Sequence, residues 1–343
     1  MAFVGKVIGD WGAVTSAPLV VIGDQLGLYR AMAEGESMTA AELATRTQTN
    51  ERYIREWLSS QAAGGYVSYD GDGRYHLEPE QAVALTDETS PACVLGGFEA
   101  FNAAIRVMPR LAQAFRTGEG VGWGEQDPGL FRGTARFFRP GYTANLVDAW
   151  LPALTGVVDK LAGGAQVADI GCGYGHSTTM MANAFPRSTF TGFDAHPESI
   201  EAANKLAAET GTAHQLDFQV ATAKNFGGKG YDLVAFFDCL HDMGDPAGAL
   251  QHTRQALADD GSVLIVEPYA NDDVADNLNP LGRLFYSVST LVCTPASKSE
   301  EVGTALGAQA GEQRMAELAH AAGFTRFRRA TETPFNLIYE ARP

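Results

Sequence analysis

The stretch Val167-Ala168-Asp169-Ile170-Gly171-Cys172-Gly173-Tyr174-Gly175-His176 decides the fold of this chain. It begins in an apolar run typical of a strand, and the residues after it have the pattern of a helix. Glycines let the backbone approach a ligand closely where a strand turns into a helix. In the dinucleotide-binding spacing G-x-G-x-x-G, the third glycine would fall on His176. The spacing here is D-x-G-x-G-x-G, which departs from that fingerprint.

A carboxylate follows the next predicted strand. Asp194 comes 19 residues after Gly175 (194 − 175 = 19), directly after the apolar run 189–193. A carboxylate at this point can accept hydrogen bonds from both hydroxyls of a ribose. Nicotinamide-dependent enzymes share this feature, so a dehydrogenase stays open as an alternative. The glycine spacing argues against a dehydrogenase, and so does the antiparallel pair of strands expected at the C-terminal end.

From about residue 146 onward, strand and helix patterns alternate. This alternation predicts parallel strands joined by crossover helices. The last two extended runs, 324–329 and 335–340, are joined by a link too short for a helix, so we expect them to be antiparallel. The earlier apolar runs occupy residues 166–170, 189–193, 231–237 and 262–266.

The N-terminal part has the order helix, turn, helix, two-stranded wing. Thr39 followed by Glu42 is a capping box that opens a helix, and Asn50 caps the next helix over 51–63. Two short alternating runs then flank the turn at residues 70–73. This order predicts a winged-helix domain.

The winged helix has two interpretations, DNA binding and dimerisation. The second helix carries Arg52 and Arg55, but Glu51 and Glu56 cancel their charges. The formal net charge of the chain is -16, which repels the phosphates of nucleic acids and anionic membranes. We therefore favour dimerisation and expect neither a nucleic-acid nor a membrane partner.

Composition excludes several classes of protein. With 45% hydrophobic and 19% charged residues, the chain has the composition of a soluble globular protein. It has no apolar run long enough to cross a membrane and no secretory signal, so we expect a cytoplasmic protein. The four cysteines are scattered without C-x-x-C spacing, which argues against a metal site.

The part of the chain from residue 146 resembles a class I S-adenosylmethionine-dependent methyltransferase domain. The whole chain resembles O-methyltransferase-like proteins with an N-terminal winged helix. Actinobacterial members carry the same stretch Phe-Asp-Cys-Leu-His-Asp-Met-Gly-Asp-Pro found at 237–246. The resemblance implies a seven-stranded Rossmann-like sheet with an antiparallel last strand. It also implies S-adenosylmethionine as cofactor, S-adenosylhomocysteine as product and a homodimer formed through the N-terminal domain.

We predict three segments: a winged-helix dimerisation domain over 1–92, a helical connector over 93–145 and a methyltransferase domain over 146–343. The connector is rich in aromatic residues, which fits either a roof over a pocket or ordinary core.

The family pattern assigns cofactor contacts residue by residue. Asp169 and the glycine loop would hold the methionine end, Asp194 the ribose, and Ala195 would lie beside the adenine. Relatives often have an acidic residue at the position of Thr222-Ala223, where it contacts the adenine amine. This chain has no acid there, so a backbone group can take over that contact. The full set of implied contacts is Tyr142, Asp169, Gly171, Gly173, Gly175, Asp194, Ala195, Thr222, Ala223, Phe237 and Asp238.

The candidate catalytic residues are His241 and Asp242. Plant-type O-methyltransferases place their catalytic His in a similar pair after the fourth strand of the domain. A neutral imidazole can remove a hydroxyl proton near pH 7, and Asp242 or Asp245 can orient the ring. Those relatives usually carry Trp where Met243 stands, and a His that only caps the next helix is an equal alternative.

The long connection after Glu267-Pro268 is the candidate substrate region. Long connections at the carboxyl ends of parallel strands build substrate sites in α/β folds. Arg283 can pair with a substrate carboxylate and Tyr286 can donate a hydrogen bond. A packed helix at a dimer interface is the alternative.

The predicted function is methyl transfer to a small-molecule oxygen, nitrogen or sulfur acceptor. Two other classes stay open. One is a cofactor-binding transcriptional regulator, and the other is an S-adenosylmethionine-binding enzyme with different chemistry, such as decarboxylation or hydroxylation.

Overall fold

The computed structural model describes residues 1–343. Its helices, in chain order, are α1 (Ala2–Gln25), α2 (Leu28–Met32), α3 (Ala40–Thr47), α4 (Glu51–Ala63), α5 (Pro79–Thr86), α6 (Leu95–Ala104), α7 (Met108–Thr117), α8 (Pro128–Asn145), α9 (Leu151–Ala153), α10 (Val157–Gly163), α11 (His176–Ala184), α12 (Pro197–Thr210), α13 (Pro246–Ala256), α14 (Pro280–Val288), α15 (Thr294–Ser299) and α16 (Gly311–Ala321). None of them combines the length and apolarity needed to cross a membrane.

The strands form two sheets. Their bounds are β1 (Met38–Thr39), β2 (Ser68–Gly71), β3 (Arg74–His76), β4 (Gln166–Ile170), β5 (Thr189–Asp194), β6 (Leu216–Val220), β7 (Tyr231–Phe237), β8 (Leu257–Pro268), β9 (Arg326–Glu332) and β10 (Asn336–Arg342). The small sheet has the order β1-β3-β2, and the seven-stranded sheet has the order β6-β5-β4-β7-β8-β10-β9. The first five strands of the large sheet are mutually parallel, and β10 is antiparallel to both β8 and β9. The predicted seven-stranded sheet with an antiparallel last strand is confirmed.

The N-terminal elements form the predicted winged helix. Thr39 and Glu42 cap α3 reciprocally: Oε2 of Glu42 accepts from the backbone N–H of Thr39 at 2.7 Å, and Oγ1 of Thr39 accepts from that of Glu42 at 3.3 Å. Oδ1 of Asn50 accepts from the backbone N–H of Arg52 at 3.0 Å and begins α4. Because both caps satisfy donors that a helix leaves free at its first turn, the two helices begin where the sequence predicts.

The chain divides into two compact units, which differ from the three segments predicted from the sequence. Unit 1 comprises residues 1–103 and 128–141, and unit 2 comprises residues 104–127 and 142–343. The predicted connector is therefore split, and its parts pack with different units.

Glycines explain why residues 128–141, the larger part of α8, belong to unit 1. A Cβ on Gly133 would lie 2.3 Å from the backbone N of Ala100, and a Cβ on Gly96 would lie 2.3 Å from that of Phe137. Contacts this short leave room only for hydrogen, so the backbones of α6 and α8 touch directly. The intervening segment packs with unit 2, where the backbone N–H of Val121 donates to the carbonyl of Pro295 at 3.0 Å.

Candidate active site

Most of the predicted site residues of unit 2 lie at or just after the carboxyl ends of neighbouring parallel strands. The chain proceeds from β4 through β5 to β6 on one side of β4, and then returns to its other side for β7 and β8. This reversal is the topological switch point, where α/β sheets bind ligands. The loops after β4, β5 and β7 therefore meet at one edge of the sheet.

The glycine loop after β4 adopts a conformation that favours glycine. Gly171 and Gly175 have φ values of 70° and 74°, in the left-handed region. A Cβ on Gly171 would lie 2.8 Å from Sγ of Cys239, and one on Gly175 would lie 2.6 Å from Cζ of Phe218. A Cβ on Gly173 would meet nothing within 4 Å, so this part of the loop faces open space. The loop thus presents bare backbone to a ligand.

Asp169 fixes the glycine loop through hydrogen bonds to the helix that follows it. Its side chain is completely buried, and Oδ2 accepts hydrogen bonds from the hydroxyls of Ser177 at 2.7 Å and Thr178 at 2.6 Å. Both hydroxyls belong to the first turn of α11, so the carboxylate ties the end of β4 to the helix after the loop. Burial raises the pKa of Asp169 to about 6, although the two hydroxyls lower it.

Asp194 ends β5 and is only partly buried. Oδ2 accepts from the backbone N–H of Gly173 at 2.9 Å, and Oδ1 accepts from that of His196 at 2.8 Å. A carboxylate has about four lone-pair positions, so each oxygen can accept a further hydrogen bond. Asp194 therefore links the glycine loop to the next loop and keeps acceptor capacity for a ligand.

The predicted adenine contacts lie on the same edge. Ala195 is exposed directly after β5, and Thr222 is exposed shortly after β6. The hydroxyl and the backbone N–H of Thr222 both donate to Oδ1 of Asn225 at 2.9 Å, while Ala223 is partly buried. The side chain of Thr222 thus stabilises the turn formed by residues 222–225.

Tyr142, Phe237 and Asp238 come together at the end of β7. The rings of Tyr142 and Phe237 are 5.4 Å apart, and the Tyr142 hydroxyl donates to Oδ2 of Asp238 at 3.4 Å. Nδ2 of Asn336, on β10, donates to Oδ1 of Asp238 at 2.7 Å. Asp238 has a φ of 50°, and burial raises the pKa of its carboxyl well above the ordinary value. No local pattern in the sequence marks Asn336 as a site residue.

His241 is buried between two carboxylates, with only 4% of its surface exposed. Nδ1 forms a hydrogen bond with Oε2 of Glu267, and Nε2 lies 3.1 Å from Oδ1 of Asp242. Burial lowers the pKa of His241, but Glu267 and Asp242 together raise it well above its ordinary value. In the sequence, Glu267 marks only the start of the long connection after the fifth strand of the domain. An acid closing the apolar run of β8 is the signal that could have found it.

Arg283 and Tyr286 lie on α14, one helical turn apart. Asn279 caps this helix, because its Oδ1 accepts from the backbone N–H of Gly282 at 2.9 Å. Arg283 is exposed and Tyr286 is partly buried. Their roles in substrate binding stay predictions.

Two family models match the chain. Residues 168–263 match a model described as a methyltransferase domain, and residues 14–87 match one described as an Rv2258c-like winged HTH domain. Together with the strand order and the glycine loop, these matches define a class I methyltransferase domain preceded by a winged helix, as the sequence predicted. The structure thus has the fold of the S-adenosylmethionine-dependent O-methyltransferase class.

Solved structures of this class cover almost the whole chain. The mitomycin 7-O-methyltransferase MmcR is 23% identical with a TM-score of 0.71, covering 100% of this chain and 98% of its own. Human N-acetylserotonin methyltransferase, solved in complex with S-adenosylmethionine, is 18% identical with a TM-score of 0.74, covering 99% and 97%. At these identities the likeness establishes the fold.

Curated relatives match shorter parts of the sequence. An uncharacterised methyltransferase of Bacillus subtilis, YcgJ, is 32% identical over 123 residues, which is 35% of this chain and 47% of the relative. The O-methyltransferase cnsE of Penicillium expansum is 30% identical over 143 residues, 41% of this chain and 51% of its own length. The chain thus spans about half the length of these relatives or less.

The buried carboxyl of Asp169 makes stability depend on pH. Its folded pKa of about 6 exceeds the value of about 3.9 expected in the unfolded chain, so the folded state binds more protons between the two values. The free energy of unfolding therefore falls as the pH rises through this window. Relative to Asp169→Asn, which cannot ionise, the unmodified protein should lose about 1 kcal/mol of stability between about pH 5 and pH 7.

Denaturant titrations of both proteins at the two pH values, without ligand, measure this difference. Asp217→Asn, at an exposed position of β6, is the control. A stability difference between unmodified protein and Asp169→Asn that is the same at both pH values contradicts the prediction.

Proposed function

We propose that this protein transfers the methyl group of S-adenosylmethionine to a protonated oxygen of a small molecule. One observation carries the proposal. The glycine loop, Asp194 and the His241–Glu267 pair all lie at the carboxyl ends of parallel strands, beside the switch point of the sheet. The loop and Asp194 fit the cofactor, because Gly173 faces open space and Asp194 keeps acceptor capacity. Bound S-adenosylmethionine supplies a methyl group activated by a sulfonium.

The residues at this edge of the sheet have different proposed roles. The backbone of the glycine loop and Asp194 bind and orient, and Tyr142, Phe237 and Asp238 enclose the end of β7. Alignment of the acceptor oxygen with the methyl group then supplies most of the rate enhancement.

His241 is the proposed general base. Because Glu267 and Asp242 raise the pKa of His241, the ring acts as a base only after it has released its Nε2 proton to solvent. Nε2 then takes the proton of the acceptor hydroxyl, and Glu267 at Nδ1 fixes the ring and stabilises the imidazolium that forms. This arrangement favours an oxygen acceptor over a thioether, since a thioether carries no proton to remove. It also favours catalysis over helix capping, because the caps of α13 come from Asp245, whose Oδ1 accepts from the backbone N–H of Gly248 at 2.8 Å.

The regulator hypothesis is disfavoured by the charges on α4. Arg52 pairs with Glu56, and Arg55 pairs with Glu51, each one helical turn apart. The face that would enter a DNA groove is therefore neutralised. We also propose a cytoplasmic location, because all four cysteines are free thiols, as in a reducing compartment.

Calorimetric titration with S-adenosylmethionine, S-adenosylhomocysteine and NAD tests the cofactor. We expect the first two to bind and NAD to give no signal. Asp194→Ala should weaken both interactions by about 1.5–3 kcal/mol, because it removes hydrogen bonds to a charged group. Asp217→Ala, an exposed acid on β6, is the matched control. If Asp194→Ala binds both cofactor forms with unchanged affinity, Asp194 does not bind the ribose.

Turnover tests the base. Once mass spectrometry has identified a methylated hydroxyl compound from an acceptor panel, His241→Gln should lower kcat by about 10²–10⁴-fold and leave cofactor affinity unchanged. Glu267→Gln should give a smaller loss, because the ring is kept but less well oriented. If His241→Gln turns over normally, the base role is wrong and the acceptor is already ionised.

We propose that the protein is a homodimer assembled through α1. The buried residues of this helix are Val20 and Gly23, both near its C-terminal end. The first four turns therefore contribute no buried residue to the core of the chain. Val4, Ile8 and Trp11 are 57%, 58% and 66% exposed and recur at the spacing of one helix face. An exposed apolar stripe of this kind marks an interface, and an isologous pairing of two copies buries it on both.

Sedimentation equilibrium measures this association. The double substitution Ile8→Glu and Trp11→Glu should convert the dimer to monomers, because it places two charges in the interface. Ala13→Glu, an exposed position on the opposite side of the same helix, should remain dimeric. A dimer that survives the double substitution is held by another surface.

A further inference from the structure

A cluster of metal-ligating side chains lies beside the proposed base. His241, Asp242 and Cys293 each offer one ligand atom, and these atoms all lie within 4.8 Å of one another. His241 and Asp242 belong to a short turn after β7, and Cys293 ends the turn that follows α14. His241 and Cys293 are each 4% exposed, and the Asp242 side chain is 24% exposed.

We propose that this cluster is a binding site for a zinc ion. An imidazole, a thiolate and a carboxylate form a donor set that suits Zn²⁺, whereas Mg²⁺ and Ca²⁺ select oxygen ligands alone. Three protein ligands leave a fourth tetrahedral position for water or another ligand. The proposal departs from the absence of metal predicted from cysteine spacing, because the fold draws the three ligands from two segments about 50 residues apart.

The surroundings of His241 are a second, independent observation. Glu267 accepts the hydrogen bond of Nδ1, and histidines that bind metals commonly donate their other ring N–H to a carboxylate in this way. That bond leaves Nε2 as the atom that faces the cluster. The Glu267 side chain is itself 6% exposed.

Two carboxylate oxygens at this place have no hydrogen-bond partner. Oδ1 of Asp242 forms an ion pair with Nε2 of His241 at 3.1 Å but no hydrogen bond, and Oε1 of Glu267 is the second such oxygen. Buried oxygens without hydrogen-bond partners cost free energy, and two acids beside one histidine leave negative charge in excess. A divalent cation offsets both costs.

Binding involves no oxidation. Zn²⁺ forms bonds to Sγ of Cys293 and Nε2 of His241, and the thiol proton and the Nε2 proton both pass to the buffer. The partly exposed Asp242 gives the small cation a path from solvent. Zinc on Nε2 also occupies the atom that the proposed base needs, so zinc should inhibit methyl transfer. Only this consequence rests on the proposed function.

The test uses the full chain stripped with a chelator, without cofactor or acceptor. Titration with Co²⁺, a spectroscopic substitute for zinc, should give a sulfur-to-cobalt charge-transfer band that saturates at one ion per chain and is displaced by Zn²⁺. Cys293→Ser should lose the band and bind zinc at least ~100-fold more weakly, since it removes a direct ligand. Cys93→Ser changes a buried free thiol of unit 1 and should behave like the unmodified protein.

Further variants keep the proposal falsifiable if Cys293→Ser folds poorly. Asp242→Asn keeps the thiol and should retain the band with weaker affinity, and Glu267→Gln should weaken zinc binding by about 10–100-fold. No charge-transfer band in the unmodified protein, or a band that persists in Cys293→Ser, overturns the site. Zinc binding without inhibition of a measurable turnover leaves the site intact and overturns the base role of His241.

Discussion

The hydrogen bonds between the buried carboxyl of Asp169 and the first turn of α11 organise the candidate active site. They join the last residues of β4 to the helix that begins after the glycine loop, so the loop between them is held at both ends. Gly171 can then lie against Cys239, and Gly173 can donate to Asp194. Because each contact depends on the previous one, loosening this carboxyl would disturb the loops after three strands.

Unit 2 concentrates buried acids at one edge of its sheet. Asp169 is held by hydroxyls, Asp238 by an amide and a phenol, and Glu267 by an imidazole. Three different partners for three buried acids indicate three different tasks. The first holds the loop, the second lies where a cation would be stabilised, and the third orients a histidine. A cationic cofactor and a cationic base or metal both suit such an edge.

The sequence predicted those parts of the site that depend on local conformation. The glycines of the loop follow from the steric demands of one strand-to-helix turn, and the acid at the end of β5 was marked by the apolar run directly before it. Asn336 and Glu267 could not be placed in this way. They face the site because β10 pairs antiparallel with β8, with Asn336 opposite Pro268, and this register is set by packing across the sheet. Cys293 joins His241 for a similar reason, since a long connection folds back to the end of β7.

Contacts that depend on packing also explain why the division of the connector between the two units could not be predicted. Its aromatic, helical pattern was visible in the sequence, but the backbone contact between Gly133 and Ala100 depends on how two helices cross. Without that contact, nothing distinguishes residues 128–141 from the segment before them.

The division of the connector also has a consequence for synthesis of the protein. Residues 1–103 leave the ribosome well before residues 128–141, which complete the same unit. Unit 1 is therefore complete only after residues 128–141 have been made, since α8 packs against α6 at Gly96. During that interval the face of α6 that later meets α8 is open to solvent. The order of emergence thus makes the completion of unit 1 depend on elongation well beyond the winged helix, whose buried core residues run from Val20 to Leu95.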